Sequence, residues 1–270
     1  MSEFSPDLQD RWALILGVSS GFGAATARML SSRGMHIFGV HLDRRATLHL
    51  VDQVKEDVLA NDREAWLVNM NAADEEERNK ALDDFMAYQG DKAIGSIKVF
   101  LHSLAFGTLK PFVNEEGQPQ LTQRNVEMTV DVMAHSLVYW AQGLVERKLM
   151  GQGGSIFAMT SSGSTRVIPT YGAVSAAKSS LESHIRQLAF ELAPFGIRAN
   201  TLRAGVTDTP ALRKIPGHEV LLEEARRRNP TGRLTTPEDV AKALCALACD
   251  DCSFVSGNII GVDGGEEVVG

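Results

Sequence analysis

At 270 residues the chain is long enough for one large α/β domain or two small ones, and no Pro/Gly/Ser-rich linker, repeat or low-complexity tract asks for the second. A formal charge of −7 runs against a nucleic-acid partner, whose phosphates select a basic surface. No apolar run approaches the roughly 20 residues of a membrane-spanning helix. The first residues, MSEFSPDLQDRWALILG, lack a signal peptide's basic start and cleavage site, which makes the cytoplasm the expected location.

Short apolar runs alternate with helical periodicities from end to end, the pattern of a Rossmann-type, doubly wound α/β fold with about seven parallel strands in a single domain spanning 1–270. Strands are expected near Trp12–Leu16, Met35–His41, Ala65–Asn69, Ile97–His102, Ser155–Thr160, Ile197–Leu202 and Ile259–Val262. Helices fit Phe22–Ser32, Thr47–Ala60, Glu75–Tyr88, Gln123–Leu149, Tyr171–Leu192 and Pro237–Ala248. Ligands of such sheets bind outside the carboxyl ends of the strands, so the loops that follow them carry the candidates.

The first of these loops, GVSSGFG, sets Gly17, Gly21 and Gly23 between a strand and a helix. Glycines permit a tight turn and close approach to a pyrophosphate, while the helix that follows offers free N–H groups. Ser19 and Ser20 add hydroxyl donors, and Phe22 lies within the same turn. After the second strand, VHLDRR brings Asp43, Arg44 and Arg45 to where a dinucleotide's adenine ribose is met. Arginines there suit the 2′-phosphate of NADPH, whereas Asp43 curling back to a 2′-hydroxyl would suit NADH.

Cys245, Cys249 and Cys252 lie close together, but no fourth cysteine or histidine follows to complete a metal site. Two of them sit four apart on an apolar helix face, where free cysteine packs as a small hydrophobe. No metal is expected.

Five motifs in order, GVSSGFG, VFLHSLAFG, TYGAVSAAK, GIRANTLRAGVTDTPAL and NIIGVDGG, resemble the short-chain dehydrogenase/reductase superfamily over nearly the whole chain. The six residues between Tyr171 and Lys178, with HSLAF and the segment DTPALRKIPGHEVLLEEARRRNPTGRL, are similar to the enoyl-[acyl-carrier-protein] reductases, most of all the NADPH-dependent type III enzymes. The resemblance implies hydride transfer to the β-carbon of a trans-2-enoyl thioester in fatty-acid synthesis, with Tyr171 holding the enolate and Lys178 the nicotinamide ribose. It further implies Ser103, Leu104 and Ala105 beside the adenosine and ribose, Asn71 near adenine, and Thr207 and Thr209 at the carboxamide and pyrophosphate. Ser161, ten residues before Tyr171, stands where many such enzymes carry a second tyrosine and is a candidate for the thioester oxygen. An acyl-carrier protein or acyl-CoA thioester is the implied substrate and a homotetramer the implied assembly.

The spacing has its own physical content. On one regular helix, seven positions return to nearly the same face but separate the two side chains by about 10 Å along the axis, against about 6 Å for four positions. Conjugate reduction asks for that distance, because hydride arrives at the β-carbon while charge develops on an oxygen two carbons away. A nearby lysine and an oxidised nicotinamide are expected to lower the tyrosine's pKa. Met133 stands where ketone reductases of the superfamily carry a helix asparagine. A 3-oxoacyl or other carbonyl reductase is therefore the rival, and a non-catalytic NADP-binding sensor a second. His102 and His135 are expected to be structural. Residues 207–234 form the expected substrate lid, whose Arg213, Lys214, Arg226, Arg227, Arg228 and Arg233 could dock an acidic carrier.

Overall fold

The structure, a computed structural model, describes residues 6–269. Met1 to Ser5, part of the amino-terminal stretch examined above for a signal peptide, and Gly270 lie outside the described residues. Seven parallel strands form one sheet in the order β3-β2-β1-β4-β5-β6-β7: β1 Trp12–Leu16, β2 His36–His41, β3 Ala65–Asn69, β4 Ile97–His102, β5 Ser155–Thr160, β6 Arg198–Ala204 and β7 Ile259–Val262. The central strands β1, β4 and β5 are buried along their whole length, Lys98, His102, Ser155 and Thr160 included, while the edges β3 and β7 are partly exposed.

Helices cover both faces. On one side lie α1 Gly21–Ser31, α2 Leu48–Leu59 and α8 Pro237–Ala248, closing a core of Ile15, Leu30, Val54, Leu101, Phe157 and Leu244. On the other lie α3 Glu75–Gln89, α4 Gln123–Val130, α5 Ser136–Glu146 and α6 Gly172–Leu192, around Leu14, Phe38, Phe85, Phe100, Trp140 and Leu181. The strand order reverses between β1 and β4, and the crevice at that switch point is where a dinucleotide binds in such sheets.

Three departures from the expected elements bear on the site. The helix foreseen over Gln123–Leu149 is interrupted at Asp131–His135 by a π turn and ends at Glu146. The Ser136 hydroxyl donates to the Val132 carbonyl at 2.8 Å, so a backbone acceptor in the irregular stretch is satisfied by a side chain. Tyr171 is not inside the last long helix but is its N-cap residue, with Gly172 the first helical position. Within the foreseen lid an unassigned helix, α7 His218–Arg228, forms between Gly217, which takes a left-handed φ of 76°, and Asn229. Glu219 in its first turn and Arg226, Arg227 and Arg228 in its last suit the helix dipole.

Candidate active site

The β1–α1 turn is built by omission. Gly17 has φ +86°, and a β-carbon there would sit 2.6 Å from the Ser103 carbonyl oxygen; one at Gly23 would sit 2.0 Å from the Gly17 carbonyl oxygen. Only glycine allows the two strand ends and the helix to close this tightly. Gly21 lies alongside the Thr209 side chain, and Leu104 is 3.6 Å from the same Gly17 position, so the turn, the end of β4 and the start of the 207–234 segment form one wall. Ser20 caps α1 without any side-chain cap bond, and neither Ser19 nor Ser20 spends its hydroxyl on another described residue. Bare N–H groups, uncommitted hydroxyls and no side-chain bulk fit a dinucleotide pyrophosphate.

The other dinucleotide candidates are less uniform. Thr207 is buried and donates its hydroxyl to Gly205, and the Thr209 hydroxyl accepts from the Leu212 N–H. Asn71 is exposed beyond β3, its carboxamide oxygen accepting from the Ala73 N–H. Ala105 is exposed and Phe22 half-buried.

At the tip of β2 the side chains divide by charge. Asp43 is bound to His41, Nδ1 to Oδ2 at 3.0 Å, and its backbone is clasped by the Asn69 carboxamide in both directions. Arg44 and Arg45 are exposed and make no ion pair among the described residues. The carboxylate is therefore committed and the two cations are free.

Tyr171 follows Thr170, whose φ of +64° is rare for a β-branched residue and whose hydroxyl is buried without a partner. Such a conformation costs about 1–3 kcal/mol and persists where surrounding structure enforces it. Here it turns the chain from a loop into α6 and aims the phenol at a cleft of about 540 Å³, walled by Pro111, Phe112, Val167, Ile168 and Ser175. Gly163 leaves room for the phenol ring, to which a β-carbon would come within 2.6 Å. Burial raises the Tyr171 pKa, and the Ser161 hydroxyl works in the opposite direction. In the chain alone Lys178 does not lower it, and desolvation is the largest influence on the phenol.

Lys178 is 6% exposed and donates from Nζ to the Met159 carbonyl at 2.7 Å. Burial pulls its pKa down to about 8, with Glu182 opposing. Glu182, itself 7% exposed, accepts from the Thr160 hydroxyl at 2.5 Å. Neither Glu182 nor Thr160 was expected to belong to the site, although a carboxylate four residues beyond a helical lysine shares its face, and that spacing was the available signal. His102 is fully buried between them and the π turn. Because Ser136 gives its proton to Val132, His102 Nε2 is the donor in their 2.9 Å bond, and desolvation with the Lys178 charge pulls the imidazole pKa to about 3, leaving it neutral. His135 pairs with His184 at 2.9 Å.

The lid's cations also divide. Arg213 is bidentate to Asp208, Arg228 pairs with Glu266 and Arg233 with Asp239, so three of the six are engaged within the chain. Lys214, Arg226 and Arg227 are exposed and make no ion pair among the described residues. Cys245 is buried, which pushes its thiol up to about 11. Among the described residues no group of three His, Cys, Asp or Glu side chains is arranged to hold a metal, and no helix is long and apolar enough to cross a membrane.

Comparison with known proteins agrees with this geometry. The chain is 28% identical over 262 residues to the NADPH enoyl-[acyl-carrier-protein] reductase of Staphylococcus aureus, covering 96% of this chain and 97% of the relative. It is 30% identical over 176 residues to the NADH enzyme of Aquifex aeolicus, a match spanning 65% of this chain and 64% of the relative. The crystal structure of the Bacillus cereus enoyl-acyl carrier protein reductase with NADP+ and indole naphthyridinone superimposes with a TM-score of 0.85 at 25% identity, covering 97% of this chain and 98% of that one. The family profile described as enoyl-(acyl carrier protein) reductase matches residues 17–267, and the chain belongs to that family.

Proposed function

We propose that this protein reduces trans-2-enoyl thioesters of acyl-carrier protein to saturated acyl thioesters, with NADPH as reductant, as a step of fatty-acid synthesis. The observation that carries the reading is the placement of Tyr171 at the mouth of α6, in the wall of the cleft, with Lys178 two helical turns deeper. An acid and a hydride donor set apart in this way match a substrate whose reacting carbon and developing oxyanion are also apart.

A bound reduced nicotinamide dinucleotide supplies the hydride. Gly17, Ser19, Ser20, Gly21, Phe22 and Gly23 would hold its pyrophosphate, with Thr207 and Thr209 at the pyrophosphate and carboxamide. Asn71, Ser103, Leu104 and Ala105 would line its adenosine and ribose. Arg44 and Arg45 would meet a 2′-phosphate, and the commitment of Asp43 to His41 favours NADPH over NADH.

Tyr171 keeps its proton at neutral pH because burial raises its pKa, so it offers a neutral O–H donor to the thioester oxygen as charge develops there. Ser161, whose influence on the phenol opposes that of burial, would support the same oxygen. Lys178 has three N–H donors, of which the Met159 carbonyl takes one, leaving two for a ribose. Met133, buried within the π turn, offers no hydrogen bond to a proton wire, which disfavours a 3-oxoacyl reductase.

The 207–234 segment would close over the acyl chain, with Leu212, Ile215 and Leu221 on its inner side. Its unpaired Lys214, Arg226 and Arg227 would dock the acidic carrier. Exposed Phe190 on α6 and Phe195 just beyond it suit assembly into a homotetramer. Charge reversal at Lys214, Arg226 and Arg227 tests the carrier: turnover of carrier-bound substrate falls several-fold while that of the coenzyme A thioester stays, and equal retention of both contradicts the docking.

A further inference from the structure

Lys178 occupies a site too dry for a lone ammonium. A buried charge without compensation gives up its proton. Around it β5 contributes the Met159 carbonyl and the Thr160 hydroxyl, β4 contributes His102, and α6 contributes Glu182. Among the described residues His102 and Glu182 are the titratable groups coupled electrostatically to Lys178, and because the imidazole is neutral, Glu182 is the charge that opposes the desolvation. Consecutive residues of one strand grip the pair: the Met159 carbonyl accepts from Lys178 at 2.7 Å and the Thr160 hydroxyl donates to Glu182 at 2.5 Å. Because β5 is buried and paired on both sides, the carbonyl that holds the ammonium and the hydroxyl that holds the carboxylate are fixed by the sheet.

We infer that Glu182, fixed by Thr160, is a positioning residue that keeps the Lys178 ammonium charged, and so keeps the reductase active at and above neutral pH. The inference rests on the function proposed above for the part that concerns turnover. The part that concerns the charge of Lys178 stands on the chain alone. Glu182→Gln retains the shape and an oxygen acceptor for Thr160 but removes the charge. Thr160→Val retains the charge but releases its grip.

The test uses the full chain in two measurements. In protein carrying 13C at lysine Cε, without dinucleotide, the Lys178 signal is assigned by its loss in Lys178→Arg and titrated. A midpoint near 8 in the parent is expected to move to lower pH in Glu182→Gln and less far in Thr160→Val. In steady-state reduction of an enoyl thioester, the alkaline limb of the kcat/KM profile moves the same way. Turnover of Glu182→Gln at pH 6 stays within about threefold of the parent, while at pH 8.5 it falls by roughly tenfold or more. Should Glu182→Gln fail to fold, the Thr160→Val midpoint decides. An unmoved Lys178 midpoint, or turnover lowered equally at every pH, overturns the inference. If the parent reduces no enoyl thioester, the proposed function fails, and the titration still judges the role of Glu182.

Discussion

The two halves of the proposed site, a dinucleotide end and a reducing end, are built by opposite means. At the dinucleotide end, the chain withholds side chains: Gly17 and Gly23 sit where any β-carbon would strike backbone, the Ser20 cap bond is unmade, and Arg44 and Arg45 are left unpaired. At the reducing end it does the reverse, burying Lys178, Glu182, Thr160 and His102 and binding each to a neighbour. A cradle for a charged ligand has to leave donors free, because they are satisfied only on binding. A site that protonates an intermediate has to fix its charges beforehand, so that nothing reorganises during the reaction. The contrast yields predictions of different size for the two ends.

The largest effect is expected at the reducing end. Tyr171→Phe removes one O–H and leaves the ring on Gly163, so kcat/KM for an enoyl thioester falls by about 10²–10³-fold. NADPH affinity, read by fluorescence titration, stays within about twofold. Equal loss of both would erase the division between the ends.

Gly17→Ala is next. It meets both the +86° φ and the Ser103 carbonyl oxygen, and about 1–3 kcal/mol of strain weakens NADPH binding by roughly 5- to 150-fold with kcat at saturation little changed. Replacing Arg44 and Arg45 together by alanine raises the KM for NADPH by roughly tenfold or more, as loss of a charge-assisted bond to phosphate implies, and leaves the KM for NADH unchanged. A parallel rise for both dinucleotides would mean that the arginines do not read the 2′-phosphate. The smallest effect is one of stability. Thr170→Gly relieves the left-handed backbone, and after the entropy of the added glycine the net gain is about 0.5–1 kcal/mol, a rise in Tm of roughly 2–4 °C by calorimetry.

What was legible from sequence follows the same division. The glycine turn is visible because its constraint is local: strand, glycines and helix are adjacent in the chain, and the observed strands match the apolar runs to within one or two residues at their ends. The free arginines are visible in composition, but the commitment of Asp43 depends on His41 and on Asn69 from a neighbouring strand. At the reducing end Tyr171 and Lys178 announce themselves by spacing. Their environment does not, because it is assembled from β4, β5 and the π turn, which meet only in the fold. No glycine or proline lies within Asp131–His135 to mark the π turn. Helix α7 was hidden by the Pro216–Gly217 and Asn229–Pro230 pairs, which suggest breakage but in fact bracket a helix of eleven residues. The burial that raises the tyrosine's pKa in the chain alone was not legible, since it depends on Phe112, Ile168 and the rest of the cleft wall rather than on the helix that carries the residue.

The central claim is that the separation of acid and hydride selects conjugate reduction. It is tested most directly by following NADPH oxidation at 340 nm with a trans-2-enoyl thioester and, in parallel, with the 3-oxoacyl thioester of the same chain length. The account predicts rapid oxidation with the enoyl substrate and at least a hundredfold slower oxidation with the 3-oxoacyl one, as about 3 kcal/mol of transition-state discrimination would give. Faster turnover of the 3-oxoacyl thioester would contradict it.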